Sequence, residues 1–405
     1  MIILVLNSGS SSIKYQLIRM KSQEDYNLLA KGQVERIGLT DGRLTHKPTD
    51  KPKYEFIQSI PDYAVGINLI LNCLTDPDHG VIESLSQIAA AGHRVAHGGE
   101  YFKDSAIINS TVKQQIESCF ELAPLHNPAS LKGILSIERL LPSIPQVAVF
   151  DTSFHQTMPP EMYLYAIPYK YYEDYRIRRY GFHGTSHKYV AQKACELTGA
   201  EFEKAKIITC HLGNGCSVCS VKEGKSFGTT MGFTPVDGLM MGTRSGTIDP
   251  GALLYIMEKE GLSIKRMNDL INKESGLLGI SGISSDMRDV KAAAAEGNEK
   301  ARIAMKMFVT RLKRFIAGYM AEMGGADILV FTAGIGENEE LIRQYVCEGM
   351  EFMGVNIDNQ ANMQGGGNRL ISARNSPVKV TVIETNEEYV IASDTFRLLR
   401  RRPEK

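Results

Sequence analysis

The most informative hydrophobic pattern is a short apolar run near the N-terminus, followed by a polar turn and an alternating segment. Residues 2–6 are all aliphatic, residues 7–12 supply asparagine, glycine and serines, and residues 13–17 alternate apolar with polar side chains. A run this short predicts a buried strand, and the alternation predicts a second strand that returns beside it. The tip of this hairpin would present backbone N–H groups, hydroxyls and Lys14, which suit a polyphosphate.

The same plan recurs about half a chain further on. Residues 207–212 form an apolar run, residues 213–215 form a Gly/Asn turn, and residues 216–221 alternate again. An isolated Ser/Gly turn would be interpreted as a solvated surface turn, but a repeat at this spacing predicts two similar domains. We expect each domain to offer a phosphate-facing hairpin to a cleft.

Elsewhere the pattern alternates helices with short strands. Helical spacing covers residues 62–75, 111–122, 129–140, 251–260, 263–274 and 299–323. Short apolar runs at residues 146–150, 328–331 and 378–383 predict strands. The first of these strands ends at Asp151, and ligand chemistry in open α/β sheets collects at the carboxyl ends of strands. The order of elements predicts an α/β fold.

Composition narrows the function classes. The 405 residues are 43% hydrophobic and 23% charged, which is typical of a globular protein with two or three domains. Lys+Arg and Asp+Glu number 46 each, so net charge favours neither nucleic acid nor a membrane as a partner. Seven scattered cysteines and the lack of a long apolar run predict a cytoplasmic protein.

Several nucleotide and metal motifs are incomplete. Gly224-Lys225-Ser226 lacks the upstream glycine of a Walker A loop, because Cys219 stands there. Gly334 and Gly336 are followed by Glu339 where a dinucleotide motif has its third glycine. His183 and His187 have the spacing of a zinc pair without a glutamate base between them. Phosphate contacts explain these loops better.

Five longer motifs carry a family resemblance. They are Asn7-Ser-Gly-Ser-Ser-Ser-Ile-Lys14, Arg178-Arg-Tyr-Gly-Phe-His-Gly-Thr-Ser-His187, His211-Leu-Gly-Asn-Gly215, Met231-Gly-Phe-Thr-Pro235 and Gly242-Thr-Arg-Ser-Gly246. In sequence and order they resemble the acetate kinase (acetokinase) family across essentially the whole chain.

The resemblance implies a fold and an assembly. It implies the α/β fold of the sugar kinase, Hsp70 and actin superfamily, with two ribonuclease-H-like domains, an interdomain ATP cleft and a homodimer. We expect an N-terminal domain over residues 1–150, completed by residues 388–405. A C-terminal nucleotide-binding domain is expected over residues 151–387.

The resemblance also implies roles for charged residues. Asn7 and Glu387, expected one on each domain, match magnesium positions, where Mn²⁺ is an expected substitute; oxygen ligands suit a hydrated Mg²⁺. Arg94 and Arg244 match arginines that bind the substrate carboxylate and the transferring phosphoryl group, which the planar guanidinium fits. His183 matches the residue that stabilises the transition state.

Asp151 matches a position usually described as an acid or base. A carboxylate substrate has a pKa of about 4 and is already ionised at neutral pH, so it needs no base. We therefore expect Asp151 to organise Mg²⁺ or the arginines. His126 matches a further active-site histidine and is expected to help neutralise charge.

The other matched positions are ATP contacts and an acyl pocket. The ATP contacts implied are Ser10, Ser12, Lys14, His211, Leu212, Gly213, Asn214, Gly215, Asp286, Met287, Arg288, Gly334, Ile335, Gly336, Glu337 and Asn338. The acyl pocket implied is lined by Ala96, Leu125, Phe182 and Pro235.

Ala96 bears on the choice of substrate. Many acetate kinases resemble one another in having Val at this position, whereas propionate kinases of the family tend to be small there. The space suits about one extra methylene, worth roughly 0.8 kcal/mol or a few-fold in preference. Acetate is therefore the first expectation, and propionate is the second. The reaction implied is direct in-line phosphoryl transfer from ATP, giving acetyl phosphate and ADP.

Two other function classes remain as alternatives. A non-enzymatic ATP-binding protein, like the actin and Hsp70 relatives, would leave the arginine and histidine loops without a purpose. A sugar kinase would need a general base and polar residues that contact hydroxyl groups, where the implied pocket offers Ala, Leu, Phe and Pro.

Overall fold

The computed structural model describes residues 1–124 and 126–400. The chain divides into two compact units. The first comprises Met1–Ser153 and the C-terminal segment from Asn386, and the second comprises Phe154–Thr385. Each unit is built on its own β-sheet, against which helices pack.

The first unit has eight strands among the residues described. They are β1 (Ile2–Ser8), β2 (Ser12–Met20), β3 (Tyr26–Glu35), β4 (Gly42–Pro48), β5 (Tyr54–Gln58), β6 (Ile88–Val95), β7 (Ala106–Ile107) and β8 (Gln146–Phe150), in the sheet order β5-β4-β3-β2-β1-β6-β8-β7. Its helices are α1 (Tyr63–Thr75), α2 (Ser110–Ser118), α3 (Asn127–Leu140) and the C-terminal α15 (Glu387–Arg400).

The predicted N-terminal hairpin is confirmed. β1 and β2 pair antiparallel, and the N–H of Gly9 donates to the carbonyl of Ser12 at 2.8 Å to close the turn. Residues 2–6 of β1 are all apolar because this part of the strand is covered on both faces. Leu4 packs into a core with α1 and α3, whereas Ile3 packs into a core with α15. On its other side β1 runs parallel to β6, and β6 runs parallel to β8.

The second unit has a six-stranded sheet within its described residues. The strands are β9 (Lys206–Leu212), β10 (Cys216–Lys222), β11 (Lys225–Thr229), β12 (Ile328–Thr332), β13 (Arg369–Leu370) and β14 (Lys379–Val382), in the order β11-β10-β9-β12-β14-β13. The helices are α4 (Pro160–Tyr163), α5 (Lys170–Tyr175), α6 (Gly184–Thr198), α7 (Pro250–Glu260), α8 (Ile264–Lys273), α9 (Gly276–Ser281), α10 (Met287–Ala295), α11 (Glu299–Met323), α12 (Ala333–Asn338), α13 (Glu340–Cys347) and α14 (Asn359–Met363).

The internal repeat predicted from the two hairpins is present in the topology. In the first unit the antiparallel strands β3-β2-β1 are followed by the parallel β6 and β8. In the second unit β11-β10-β9 are followed by the parallel β12 and β14. The same order of antiparallel and parallel strands therefore places a tight turn after the first strand of each unit.

Six of the seven cysteines are buried. All seven are free, and Cys216 and Cys219 point to opposite faces of β10, where they join different apolar cores. No helix in the described ranges has both the length and the apolar character that crossing a membrane requires.

The predicted domain limits differ from the two units. Asp151 and Glu387 were expected in the second domain, but both belong to the first unit. The N–H of Asp151 donates to the carbonyl of Val95 at 3.0 Å, which continues the contact between β6 and β8. Glu387 begins α15, whose Ile391 packs against β1. Asn7 and Glu387 therefore share one unit, and the expectation of one on each domain was wrong.

One predicted helix is shorter in the structure, and parts of two other predictions lie outside the described residues. The helix predicted over residues 111–122 ends at Ser118, and Cys119 to Ala123 form turns. Leu125 and residues 401–405, the end of the predicted C-terminal segment, lie outside the described residues.

The buried His93 predicts a pH dependence of stability. Its Nε2 lies 2.8 Å from Oε1 of Gln146, and burial lowers the pKa of the imidazole from 6.5 to about 4. Between these values the unfolded chain binds a proton that the folded chain does not, so stability falls as pH drops from 6.5 towards 4. His93 contributes at most about 1.4 kcal/mol per pH unit to this change in the free energy of unfolding. We expect His93→Gln to flatten the dependence of the melting temperature on pH over this window, and an unchanged slope would contradict the assignment.

Candidate active site

Polar side chains meet where three parallel strands of the first unit end. Leu6 on β1 lies opposite His93 on β6, and Arg94 lies opposite Val149 on β8. The residues that follow on each strand therefore reach the same edge of the sheet. This edge brings together three predicted site residues, namely Asn7, Arg94 and Asp151.

Arg94 is enclosed by oxygen atoms. Its Nε lies 3.1 Å from both carboxylate oxygens of Asp151, and its Nη2 donates to Oδ2 at 2.5 Å. Nη1 donates to Oδ1 of Asn7 at 3.5 Å, and Nε lies 3.8 Å from Oε2 of Glu387. The positive charge of this guanidinium is thus already balanced within the first unit.

Electrostatics of this pair follow from burial and charge. Burial alone would lower the pKa of Arg94, but the carboxylates of Asp151 and Glu387 outweigh it and raise that pKa. Burial raises the pKa of the Asp151 carboxyl, and the Arg94 guanidinium opposes this rise. The Asp151 carboxylate accepts three hydrogen bonds from Arg94 and therefore holds that guanidinium in place.

The same oxygen atoms fit a hard cation. The amide oxygen of Asn7 and the carboxylates of Asp151 and Glu387 surround one guanidinium. Within residues 1–124 and 126–400, no three His, Cys, Asp or Glu side chains form a complete metal-binding group. Mg²⁺ needs only one or two protein carboxylates together with substrate phosphates and water, so this donor set suits it.

Other predicted residues of the first unit lie nearby in the fold or at the hairpin tip. Lys14 is exposed and lies opposite Asn7 in the β1–β2 ladder, on the same face of the sheet. Ser10 is exposed in the turn, and Ser12 begins β2. His126 precedes α3 and lies close enough to Asp151 for its charge to act on that carboxyl.

In the second unit, His183, Gly215 and Arg244 converge. A methyl group at Gly215 would lie 3.3 Å from Nη1 of Arg244 and 3.5 Å from Cε1 of His183. His183 has a φ of 57°, the left-handed region, and stands directly before α6. A strained backbone of this kind persists only where the surroundings hold it, and it often marks a functional side chain.

Arg244 has a different electrostatic setting from Arg94. Its Nη1 donates to the carbonyl of Pro235 at 3.4 Å and lies 3.8 Å from Sδ of Met241. Burial lowers the pKa of Arg244. Among the residues described, no carboxylate pairs with Arg244 or acts on its pKa, so this half-buried guanidinium is available to an external anion.

A buried hydrogen-bond chain orients His183. Ser217 Oγ lies 2.8 Å from Nδ1 of His183 and 2.7 Å from Nε2 of His187. On the far side, Nδ1 of His187 lies 2.7 Å from Oγ1 of Thr209, whose hydroxyl donates to the carbonyl of Cys219 at 3.4 Å.

These contacts assign the ring tautomers. Thr209 uses its proton on a carbonyl, so it accepts from the Nδ1–H of His187. Burial lowers the pKa of His187 well below its ordinary value and keeps it neutral, so its Nε2 accepts from the Ser217 hydroxyl. Ser217 therefore accepts from the Nδ1–H of His183. The Nε2 edge of His183 lies toward Gly215, within 3.6 Å of a methyl group placed there.

A cavity of about 490 Å³ lies within the second unit. It is lined by eight of the predicted ATP-binding residues: Gly213, Asn214, Asp286, Met287, Arg288, Gly334, Ile335 and Asn338. These come from three separate stretches of chain. Ser285 and Glu339 also line it and were not predicted. Ser285 directly precedes the predicted stretch 286–288, and Glu339 directly follows the predicted stretch 334–338. This proximity in sequence was the signal that could have identified them.

Four other predicted ATP-binding residues of the second unit do not line this cavity. The side chain of Leu212 is fully buried in the core. His211 stacks on His183 with ring centroids 4.2 Å apart, and Gly336 is buried in α12. Gly215 adjoins Arg244, as described above.

Glu337 is also used by the fold. Its Oε1 accepts from the backbone N–H of Ala333 at 2.7 Å and of Thr385 at 3.0 Å. Ala333 has a φ of 63°, so this carboxylate stabilises a strained turn between β12 and α12. Glu337 therefore supports the cavity wall without lining the cavity.

Asp286 and Arg288 form an ion pair at the start of α10. Asp286 accepts from the backbone N–H of Arg288 at 2.9 Å and pairs with its guanidinium at 2.5 Å. These bonds to Arg288 lower the pKa of the Asp286 carboxyl to about 2.

The predicted acyl-pocket residues are spread over the chain. Ala96 is half-buried and follows β6 in the first unit. Phe182 is buried in the core of the second unit, and the carbonyl of Pro235 accepts from Arg244. Leu125 lies outside the described residues.

Comparison with known proteins identifies the family. The model of the acetokinase family matches residues 2–393. The chain belongs to the acetokinase family. The acetate kinase of Caldanaerobacter subterraneus subsp. tengcongensis is 52% identical over 399 residues, which cover 98% of this chain and 99% of that protein.

Solved structures of the acetokinase family agree with the fold. The crystal structure of Porphyromonas gingivalis acetate kinase matches with a TM-score of 0.95 at 48% identity and covers 98% of this chain and 99% of that chain. A propionate kinase from Francisella tularensis matches with a TM-score of 0.90 at 43% identity, over 98% of this chain and 99% of that chain. The predicted family and α/β fold class are confirmed. As a family member, the chain is a kinase that uses ATP or ADP and has a carboxylate as phosphoryl acceptor.

Ser217 offers a test of the hydrogen-bond chain. In Ser217→Ala the Nδ1–H of His183 loses its acceptor, so nitrogen NMR of the ring should show mixed tautomers. Stability should fall by about 1–3 kcal/mol, because two ring nitrogens lose a partner. Ser220→Ala is the matched control, since Ser220 is buried on the same strand and donates to the carbonyl of Gly228. It should lower stability while leaving His183 unchanged; an unchanged His183 in Ser217→Ala would refute the chain.

Proposed function

We propose that this protein is an acetate kinase that transfers the γ-phosphoryl group of ATP to acetate, reversibly, giving acetyl phosphate and ADP. The observation that carries this proposal is Arg244, a half-buried guanidinium beside His183 and Gly215 that has no carboxylate partner among the described residues. Family membership supports the reaction class.

Direct in-line attack suits the side chains of the site. Acetate is ionised at neutral pH, so its oxygen is already a nucleophile. Two anions must approach each other, and catalysis therefore depends on positioning and charge neutralisation. Arg244 would hold an anionic oxygen through its planar donor fork. His183, with its proton fixed on Nδ1, would donate from Nε2 in its protonated form to an oxygen of the transferring group.

Asp151 acts in this mechanism as a positioning residue. Its carboxylate accepts three hydrogen bonds from Arg94, which fixes the guanidinium plane. A general base would serve no purpose with a carboxylate nucleophile. His126 would add positive charge within the first unit, where the charge of Arg94 is already balanced.

We infer that Mg²⁺ takes part, held by Asn7 and Glu387, with Mn²⁺ as a substitute. When bound, such an ion neutralises phosphate charge and orients the phosphate oxygens. The oxygen donors around Arg94 support this assignment. Lys14, opposite Asn7, would contact phosphate together with the hydroxyls of Ser10 and Ser12.

We infer that the cavity of the second unit accepts the nucleoside end of ATP. Its volume suits a ligand of that size, and the lining residues Gly213 and Gly334 bring no side chain into it. Arg288 is exposed at its mouth.

A homodimer and a cytoplasmic location complete the proposal. α7 has no buried residue, and it exposes 67% of Leu254 and 60% of Tyr255. The neighbouring Ile264 is 82% exposed. Large apolar side chains exposed together are typical of an interface, here with a second copy of the chain. Seven unpaired thiols suit a reducing compartment.

Acyl-phosphate formation tests the activity. Hydroxamate detection with ATP and acetate, propionate, butyrate or glucose should give most product from acetate and none from glucose. Arg244→Ala should lower kcat/KM by about 10²- to 10³-fold, because an anion contact in the transition state is lost. Arg266→Ala is the control, since Arg266 pairs with Glu274 on the surface. Absence of product from every carboxylate would exclude the proposed reaction.

Propionate is the second candidate substrate, and the small side chain of Ala96 favours it. Ala96→Val should shift the ratio of kcat/KM for acetate over propionate upward by a few-fold, because two added methyl groups fill space that the longer acyl chain would use. The ratio is measured with the same hydroxamate assay. A ratio that stays constant would remove Ala96 from the acyl pocket.

A further inference from the structure

A second cavity of the second unit lies among α10, α11 and α13 and has a volume of about 690 Å³. We call it the basic groove. Its floor is apolar: Ala294, Met305 and Val309 are each less than a tenth exposed, and Leu341 and Tyr345 form a side wall. A cavity of this volume with an apolar floor suits a small organic molecule.

The rim of the basic groove is cationic. Lys291, Arg302, Lys306 and Lys313 line it, with Glu348 as its acidic residue. The last three cations follow the helical spacing of α11 and therefore form one stripe beside the apolar floor. Nε of Arg302 donates to the carbonyl of Ala294 at 3.2 Å, which holds this guanidinium at the rim.

One ion pair joins the basic groove to the cavity assigned to the nucleotide. Lys291 lines the groove, and its ammonium pairs with Glu339, which lines the other cavity. Glu339 is 5% exposed. A buried carboxylate depends strongly on its counter-charge, so any ligand that engages Lys291 changes the electrostatics of both cavities.

We propose that the basic groove binds an amphipathic anion, an apolar ring or chain that carries at least two negative charges, and that its occupancy weakens nucleotide binding. The anion draws the ammonium of Lys291 away from Glu339. The carboxylate of Glu339 then loses its ion-pair partner at the wall of the cavity assigned to the nucleotide, which is itself negatively charged. The effect on nucleotide binding rests on the proposed function. By linkage, the bound nucleotide weakens binding of the anion by the same factor.

Binding is tested with bis-ANS, a dianionic aromatic dye, by fluorescence titration of the full chain. Lys306→Glu should weaken the saturable component about tenfold or more, because a cation at the rim becomes an anion. Lys300→Glu is the matched control, since it makes the same charge change on an exposed residue of α11 outside the groove, and it should change the Kd less than about twofold. Equal effects of the two substitutions would overturn the site.

Competition tests the ligand class in the same titration. Inorganic pyrophosphate carries charge without an apolar body, and octanoate carries a chain with one charge. Each should displace the dye only weakly, compared with a non-fluorescent aromatic compound that carries two sulfonate groups. Full displacement by pyrophosphate at similar concentration would show a plain anion site and overturn the proposed chemistry.

Coupling is tested by repeating the titration with ADP. The dye should bind more weakly at saturating ADP, by a finite factor that no longer grows with ADP concentration, and Lys291→Met should reduce this factor to about one. A dye Kd that rises without limit would place the dye in the nucleotide cavity and overturn the proposal. A chain that binds the dye but not ADP would overturn the coupling and the proposed function while leaving the groove as a binding site.

Discussion

Charge compensation at two arginines is the constraint on which the rest of the site depends. Arg94 is surrounded by the carboxylates of Asp151 and Glu387 and by the amide of Asn7, so the fold itself balances its charge. Arg244 meets only a carbonyl and a thioether among its described contacts. Arg244 is half-buried and has no carboxylate partner among the described residues, and we propose that a substrate anion takes that place. The two guanidinium groups therefore differ in electrostatic setting: the charge of Arg94 is balanced by carboxylates, and that of Arg244 is not.

The repeated sheet supplies the rigid support for these groups. Parallel neighbours in each unit end at the same edge, so residues far apart in sequence, such as Asn7 and Asp151, meet there. In the second unit the segment over residues 242–246 packs closely on the turn between β9 and β10. The N–H of Gly242 donates to the carbonyl of Asn214 at 3.0 Å, and a Cβ at position 242 would collide with the Asn214 side chain. A Cβ there would also lie 2.9 Å from the carbonyl oxygen of Ser285, so position 242 requires glycine.

Two glutamates near the cavity of about 490 Å³ show why the contacts of a side chain were harder to predict than helices and strands. Glu337 lies in a predicted ATP-binding stretch, yet its carboxylate holds the backbone of Ala333 and Thr385. Glu339 was not predicted, yet it lines the cavity and pairs with Lys291. The two residues are both glutamates and lie two positions apart in the sequence. Only the direction of each side chain, which the turn after β12 sets, separates their tasks.

The sequence by itself determined both hairpins, the long helix α11, the repeat and the family, because each depends on local hydrophobic period or on contiguous motifs. The tertiary structure alone decided that Asp151 and Glu387 join the first unit. It also decided that Arg94 is already paired, and that Ser217 connects His183 to His187. These features depend on distances between residues far apart in the chain. Hydrogen bonds and ion pairs act through space over a few ångströms, and sequence spacing carries no information about such distances until the strands have been placed side by side.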